Sequence, residues 1–486
     1  MLKAAQGVHT VESRPLRLEV RLHNLRHIAA AFGSEAHAVV RSRMPAAISH
    51  FLSSDETSPV QVALAPPGAV SVRPIDCSLI AIDIQASLSE TDVTLLVERL
   101  SLALAVEPTI WGTARIHVVA SVWIAWPSSS ASMDDATDER FVPVVSEALF
   151  GDEPDLDAAD WGDLYRRDMA VAAQLFEELT AGRLRLAFQP ICMAGRFESI
   201  LYQECLLRGA EPDRSPADII AALERLGLSR ALDNRITRLA LVKLRDETNL
   251  RLGVNISAQG AIVDGWWAAI RGELEAAPEL AGRLTIEITE TASLPPLADA
   301  VAFVSWMKSA GCKIALDDFG AGRNAIRSLY ALTPDIVKVD AFFLRQARDS
   351  ERGHDAFKSL IGLSRAIGGA VVVEGVESKL DSRIAAEAGA PWQQGDFSGS
   401  PRFAAIAPDL RYEAPEPPPT FGQRPNAPNL YLAKKAEAIR TLSDGAAAFP
   451  QQVYFDLGSL RWAVPLSAAL WGLIACAVWL LWKWLS

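Results

Sequence analysis

The sequence has few cysteines and no paired spacing among them. Its five cysteines are Cys77, Cys192, Cys205, Cys312 and Cys476. This pattern indicates neither a disulfide framework nor a zinc site, and it is typical of a reducing compartment. Histidine is scarce in the second half, because six of the seven histidines lie before residue 118. This distribution argues against a Ser/His triad or a histidine-rich metal site there.

An excess of positive charge is also lacking. The chain has 59 acidic and 47 basic residues, which gives a formal net charge of −12. A protein that wraps nucleic acid through its phosphates needs the opposite sign, so we expect no nucleic-acid partner. Half of the residues are hydrophobic, which is enough for a large core. The length is typical of about three domains.

The chain ends differ in their apolar content. Residues 1–14 lack the apolar core of a signal peptide. Residues 462–482, in contrast, form an uncharged apolar run between Arg461 and Lys483. Such a run is long enough to span a bilayer as a helix, and tryptophans lie near both of its ends. The sequence predicts one transmembrane anchor over residues 461–486, with a buried soluble helix as the alternative.

Residues 1–127 have the pattern of a small α/β domain. We expect strands at 16–22 and 117–124 and helices at 24–31, 36–52 and 92–105. Residues 128–163 are rich in serine and acidic residues, which is typical of a flexible linker, and a helix is expected at 165–180. Residues 405–460 contain a proline-rich stretch and are predicted to be a spacer.

Strand-like runs alternate with helical patterns over residues 164–404. Strands are expected at 184–191, 200–207, 252–256, 284–289, 313–316, 336–339, 370–373 and 391–395. Helices are expected at 216–226, 232–243, 266–275, 297–310, 342–367 and 379–388. This alternation predicts an α/β fold with a (β/α)8 TIM-like barrel. The first two strands are separated by a short turn, so the first strand is expected to run antiparallel.

Polar side chains stand at the C-terminal ends of nearly all these strands. They are Glu204, Asn255, Glu287, Asp317, Asp318, Lys338, Asp340, Glu374 and Gln394. Chemistry in barrels of this kind collects at these ends. Any one of these residues could be a cap or a turn residue. The whole set favours converging carboxylates that hold two Mg²⁺ or Mn²⁺ ions against a phosphodiester.

Ordered motifs across residues 184–401 resemble the EAL domain, the family of cyclic-di-GMP phosphodiesterases. The motifs are Gln189-Pro190-Ile191, Glu204-Cys205-Leu206-Leu207-Arg208, Asp233, Asn255-Ile256-Ser257, Glu287-Ile288-Thr289-Glu290, Asp317-Asp318-Phe319-Gly320, Lys338, Asp340, Glu374-Gly375-Val376-Glu377 and Gln394-Gly395. The resemblance implies a hydrolase that opens cyclic-di-GMP to linear pGpG with two Mg²⁺ or Mn²⁺ ions. The loop at Arg323 and Asn324 departs from the family pattern.

The resemblance also implies a role for each matching residue. The metal ligands would be Glu204, Asn255, Glu287, Asp317, Asp318, Asp340 and Glu374, with Asp317 bridging the two ions. The catalytic residues would be Lys338, Glu374 and Glu290; Lys338 would position or deprotonate the attacking water, and Glu290 would brace the loop after Asp318. The substrate contacts would be Gln189, Leu207, Arg208, Asp233 and Gln394.

Residues 15–127 resemble a degenerate GGDEF domain through Phe32-Gly33 and the strand at 118–124. Pro66-Pro67-Gly68-Ala69-Val70 stands where the GGDEF sequence is expected, so a regulatory domain without cyclase activity is predicted. An unrelated α/β domain is the alternative.

The resemblance to the EAL family carries three further implications. The soluble domains would lie in the bacterial cytoplasm, with the anchor in the inner membrane. The barrel would form a homodimer. Two alternatives to the enzyme are a membrane-tethered cyclic-di-GMP receptor that does not cleave its ligand and a scaffold without a ligand.

Overall fold

Two sheets organise the chain in the computed structural model. The structure describes residues 16–53, 69–85, 88–125, 158–208, 215–289, 294–321 and 325–403. All of them belong to one compact unit. The first sheet is open and antiparallel, whereas the second closes into a barrel.

The N-terminal part combines a four-stranded sheet with three helices. Its elements are β1 (Leu16–Leu22), α1 (Leu25–Phe32), α2 (Ser34–Ser53), β2 (Val70–Pro74), β3 (Leu79–Ile84), α3 (Glu90–Val106), β4 (Thr109–Trp111), β5 (Ala114–Ile116) and β6 (Ala120–Ile124). The sheet order is β2-β3-β1-β6, and β4 pairs with β5 separately. Strands β2 to β5 were not predicted. Pro74 and the turn-rich stretch before it weaken the strand signal of β2, and β4 and β5 are only three residues long. The resemblance to a GGDEF domain stays a prediction.

The second part is the predicted eight-stranded barrel with its surrounding helices. Its elements are α4 (Ala158–Thr180), β7 (Arg185–Met193), β8 (Arg196–Arg208), α5 (Pro216–Leu226), α6 (Ser229–Asp246), β9 (Leu252–Ile256), α7 (Gly265–Ala276), α8 (Pro278–Ala281), β10 (Leu284–Thr289), α9 (Leu297–Ser309), β11 (Lys313–Phe319), α10 (Ala325–Leu332), β12 (Ile336–Val339), α11 (Ala341–Asp349), α12 (Glu351–Gly368), β13 (Ala370–Val373), α13 (Lys379–Glu387) and β14 (Trp392–Gln393). The barrel closes in the order β10-β11-β12-β13-β14-β7-β8-β9. Strand β7 runs antiparallel to both of its neighbours, so the prediction for the first strand is confirmed.

The helices of this part differ from the prediction mainly at three places. Helix α4 begins at Ala158, so the end of the predicted linker over 128–163 is helical. The helix predicted over 342–367 is two helices, because Ser350 has extended backbone and caps the second one by accepting from Gly353 N at 3.0 Å. Helix α10 was not predicted.

The predicted membrane anchor and spacer cannot be compared with the structure, since residues 404–486 lie outside the described residues. Across the ranges that the structure does describe, no helix has both the length and the apolar character needed to cross a membrane.

A polar network joins the N-terminal part to the barrel. Glu98 on α3 accepts hydrogen bonds from Asn234 Nδ2 at 2.7 Å and from Arg238 Nε at 2.8 Å, both on α6. Arg238 also pairs with Glu273 on α7 at 2.5 Å. Asn234 and Arg238 are four residues apart, so they lie on one face of α6. The N-terminal part therefore binds one face of a barrel helix.

The barrel interior has an apolar floor below a polar level. Tyr202, Ala315, Ile336 and Val372 belong to one buried cluster. Each of them lies two residues before a residue of the polar level: Glu204, Asp317, Lys338 and Glu374. Since side chains on a strand alternate with period two, floor and polar level share the inward face. Each of these four strands therefore places an apolar side chain in the packed interior and, two residues later, a charged side chain at the polar level.

Candidate active site

The Lys338 ammonium lies at the centre of the polar level. Its side chain is fully buried at the end of β12. Its Nζ atom lies 2.7 Å from Asp317, 2.8 Å from Glu287, 3.0 Å from Glu374 and 3.1 Å from Glu204. Four strands thus direct a carboxylate at one ammonium group.

The acidic residues form two triads that share one member. Glu204, Glu287 and Asp317 present oxygens within 4.8 Å of one another, and so do Asp317, Asp318 and Glu374. Two sets of oxygen ligands joined by one carboxylate are the arrangement that a pair of hard divalent cations requires. The structure brings together these predicted ligands, and it places Asp317 where a bridging ligand is expected.

A backbone irregularity explains how two adjacent aspartates enter one site. Consecutive side chains on a strand point to opposite faces. The register between β11 and β12 shifts between Leu316 and Phe319, and Asp318 has a φ of 52°. This left-handed conformation costs about 1–3 kcal/mol in a non-glycine residue. The strain turns Asp318 towards the same triad as Asp317.

The carboxylates outnumber the positive charge available to them. The two triads contain five carboxyl groups, and Lys338 supplies one ammonium. Burial raises the pKa of Glu287 to about 8, with Glu204 and Asp317 adding to the rise against Lys338. Burial and the Asp317 charge raise the pKa of Asp318 to about 6. The site therefore binds protons that two divalent cations would displace.

The pKa shifts of Lys338 and Glu204 favour the charged form of each group, whereas those of the other four carboxyl groups favour the neutral form. Burial alone would lower the pKa of Lys338, but the facing carboxylates raise it well above its ordinary value. Burial would raise the pKa of Glu204, but Lys338 and hydrogen bonds from Gln394 and Asn255 lower it overall. Lys338 is therefore a charged hydrogen-bond donor, and it does not act as a base in this state.

Orphaned oxygens support a metal site at the first triad. Asn255 Nδ2 donates to Glu204 at 2.5 Å, which fixes the amide and turns its oxygen away. The buried Oδ1 of Asn255 and Oε1 of Glu287 have no hydrogen-bond partner among the described residues. Carboxylate oxygens together with an unpaired amide oxygen are the ligands that Mg²⁺ and Mn²⁺ prefer. The residues present fit a divalent metal ion.

The two remaining predicted residues of the metal and catalytic set are Asp340 and Glu290. Asp340 Oδ1 accepts from Phe342 N at 2.7 Å and caps α11. Its charge still contributes to the raised pKa of Asp318, so a water-mediated role stays a prediction. Glu290 lies outside the described residues.

The predicted substrate residues fall into two groups. Gln394 Nε2 donates to Glu204 at 2.6 Å and to Gln189 Oε1 at 3.2 Å, so these two amides adjoin the first triad. The second group lines a cavity of about 100 Å³, and its predicted members are Leu207, Arg208 and Asp233. Asn255 also lines this cavity, which places it beside the carboxylates.

Two polar residues for which no role was predicted from the sequence, Ser257 and Glu224, make hydrogen bonds in the cavity wall. Ser257 N donates to Asp233 at 3.1 Å, and its hydroxyl donates to the buried Glu224 at 2.8 Å. Burial raises the pKa of Asp233 well above its ordinary value. Glu224 carried no sequence signal, because it lies within a helix away from any strand end. Burial thus favours the protonated form of the Asp233 carboxyl group that lines the cavity.

The sequence and the fold can be compared with known proteins. Residues 172–401 match the family model described as EAL domain. The chain is similar to the uncharacterized protein y4lL of Sinorhizobium fredii, with 30% identity over 261 residues that cover 52% of this chain and 31% of that protein. It is also similar to the cyclic di-GMP phosphodiesterase NbdA of Pseudomonas aeruginosa, with 27% identity over 224 residues that cover 44% of this chain and 28% of that protein. The matches thus span about a third of these relatives' length.

One solved structure among those that match is described as PaMucR phosphodiesterase in complex with c-di-GMP. It is 22% identical and has a TM-score of 0.43, and the match covers 48% of this chain and 97% of that one.

Proposed function

Because residues 172–401 match the EAL domain family, we propose that this chain is a metal-dependent phosphodiesterase that hydrolyses cyclic-di-GMP to linear pGpG. The observation that carries this proposal is the pair of carboxylate triads sharing Asp317, with the Lys338 ammonium in contact with both. A phosphodiester is stable in water, and its hydrolysis requires neutralisation of the charge that develops on the phosphoryl oxygens.

The proposed chemistry divides into what the ions supply and what the chain supplies. When bound, two Mg²⁺ or Mn²⁺ ions lower the pKa of an attacking water and neutralise the phosphoryl charge. Glu204, Glu287 and Asn255 hold one ion, and Asp318 and Glu374 hold the other. Asp317 belongs to both sets. Lys338 donates hydrogen bonds at their junction and orients the attacking water.

The cavity beside Asn255 is proposed to receive a guanine base. Its lining offers an apolar wall, the planar guanidinium of Arg208 and the carboxyl group of Asp233, whose pKa is raised by burial. A guanidinium presents paired donors that suit guanine acceptors or a phosphate. A protonated carboxyl group both donates and accepts. Gln189 and Gln394, at the other side of Glu204, are proposed to contact the phosphodiester.

The direct test uses the full-length protein, cyclic-di-GMP and Mg²⁺ or Mn²⁺, with chromatographic separation of the nucleotides. Linear pGpG should form, and it should disappear with a chelator and in Glu204→Gln. Glu198→Gln is the matched control, because Glu198 is an exposed glutamate on the same strand. Intact nucleotide retained by the protein would contradict the enzyme and indicate a receptor.

Cellular location and oligomeric state are also proposals, because they rest on the sequence alone. We propose that residues 461–486 anchor the chain in the bacterial inner membrane and that the barrel forms a homodimer. Release of the full-length protein from membranes by high salt would contradict the anchor. A monomer mass in sedimentation at micromolar concentration would contradict the dimer.

A further inference from the structure

One buried hydroxyl below the polar level has no role in the mechanism described above. Tyr202 lies on β8, two residues before Glu204, and its side chain is 2% exposed. Its hydroxyl has no hydrogen-bond partner among the described residues. A buried hydroxyl without a hydrogen-bond partner destabilises the folded state. Such a cost in the centre of a packed barrel indicates a partner that the metal-free site does not provide.

The space beside Gly253 indicates that this partner is the Glu287 carboxylate. A Cβ atom at Gly253 would lie 2.0 Å from Glu287 Oε1 and 2.4 Å from Tyr202 Cε2. The Tyr202 ring and the Glu287 carboxylate therefore occupy adjoining space that only a glycine on β9 leaves open. Glu287 is directly beside Asn255 in the strand register, so this space lies under the first triad.

The Glu287 carboxylate has one oxygen available on this side. Lys338 Nζ lies 2.8 Å from Oε2 of Glu287. Oε1 is buried and has no hydrogen-bond partner among the described residues. The edge of the Tyr202 ring thus adjoins Glu287 Oε1 across the space left by Gly253, and both the Tyr202 hydroxyl and this oxygen are buried and without a hydrogen-bond partner among the described residues.

We propose that Tyr202 is a positioning residue of the first metal site, whose hydroxyl donates to the Glu287 carboxylate once that carboxylate holds a divalent ion. The inference rests on the metal-dependent function proposed above. Hydrogen bonds to a charged acceptor, such as a carboxylate that holds a cation, are stronger than those between neutral groups. Donors behind metal ligands fix ligand orientation, and their removal weakens metal binding by about 10–100-fold.

The test measures Mn²⁺ binding by isothermal titration calorimetry on full-length, metal-stripped protein. Tyr202→Phe should bind Mn²⁺ at the first site about tenfold more weakly than the wild type. At saturating Mn²⁺, kcat should recover, and KM for cyclic-di-GMP should stay unchanged. A purely structural role for the ring would leave the Mn²⁺ dependence unaltered.

Tyr165→Phe is the matched control. Tyr165, on α4, is also buried, and its hydroxyl accepts a hydrogen bond at 3.2 Å from Nδ2 of Asn24 in the N-terminal part. This variant loses a buried hydroxyl of the same kind, and its Mn²⁺ affinity should equal that of the wild type.

The outcomes separate this inference from the proposed function. Mn²⁺ affinity unchanged in Tyr202→Phe overturns the inference alone, whereas a wild type that binds no Mn²⁺ overturns both. If Tyr202→Phe does not fold, the crystal structure of the Mn²⁺-loaded wild type decides. A distance of about 3 Å between the Tyr202 hydroxyl and the Glu287 carboxylate is expected. A distance too long for a hydrogen bond overturns the inference.

Discussion

Replacement of Lys338 by methionine removes the one positive charge among the two triads and keeps the length of the side chain. Four carboxylates lie within 3.1 Å of its Nζ atom, and the side chain is fully buried. We expect Lys338→Met to lose catalysis by about 10²–10⁴-fold, the range for a group that positions or transfers a proton. The metal ligands remain, so Mn²⁺ binding should persist, because a charge that repels the ions is gone.

The same substitution should destabilise the metal-free protein. Removal of one partner from a buried ion pair costs about 3–5 kcal/mol. A barrel of this size loses about 2–4 °C in Tm per kcal/mol, so a decrease of roughly 6–20 °C is expected at pH 8. Lys308→Met is the control. Lys308 is 30% exposed and pairs with Asp335 at 3.2 Å, so its loss should cost about 1 kcal/mol or less.

The decrease in Tm should depend on pH. Lys338 opposes the burial that raises the pKa of Glu287, Asp318 and Glu374, so its removal raises these pKa values further, and the cost of ionising the buried carboxyl groups grows with pH. Without Lys338, burial raises the pKa of the carboxyl groups, and they are protonated at little cost at pH 5.5. Circular dichroism melts in chelator should therefore show a smaller difference at pH 5.5 than at pH 8. Equal differences at both pH values would refute the electrostatic reasoning.

The same geometry yields three further predictions. Asp317→Asn should lower Mn²⁺ affinity at both sites by at least about tenfold in calorimetry, because Asp317 belongs to both triads; loss at one site only would contradict its bridging position. Mn²⁺ affinity of the wild type should rise from pH 6 to pH 8, because the pKa of Glu287 is raised to about 8 and that of Asp318 to about 6, so binding must displace protons. Affinity that is independent of pH would contradict this. Glu98→Gln should destabilise the protein by about 2 kcal/mol in thermal unfolding, whereas Glu177→Gln, in an exposed pair, should cost less than about 1 kcal/mol; equal costs would contradict the buried network.

The sequence predicted the barrel and its acids because both depend on local periodicity. Polar residues after apolar runs identified Glu287 and Asp317 without any knowledge of tertiary structure. The joint use of Asp317 and Asp318 was predicted from the repulsion between adjacent carboxylates, which a divalent cation relieves, although period two alone places adjacent side chains on opposite faces. The register shift and the left-handed conformation of Asp318 depend on tertiary structure, so the residue pattern did not predict them.

Other parts of the site depend on contacts that are distant in sequence. Tyr202 and Gly253 matter because two strands bring them together, so neither residue has a signal of its own. The same reason applies to Glu98, which meets Asn234 only through the packing of two separate parts of the chain. An inward-facing Tyr202 could have been found from period two, counted back from Glu204.

Helix α6 has a consequence for how this protein can change during evolution. Asp233 lines the cavity beside the metal site, and the next residue, Asn234, binds Glu98 of the N-terminal part. Each residue added to a helix rotates all later positions of that helix by about 100°. One insertion or deletion before Asp233 would therefore misdirect both contacts at once, while substitutions elsewhere on the helix would leave them in phase. The length of α6 should consequently vary far less among descendants of this protein than its composition.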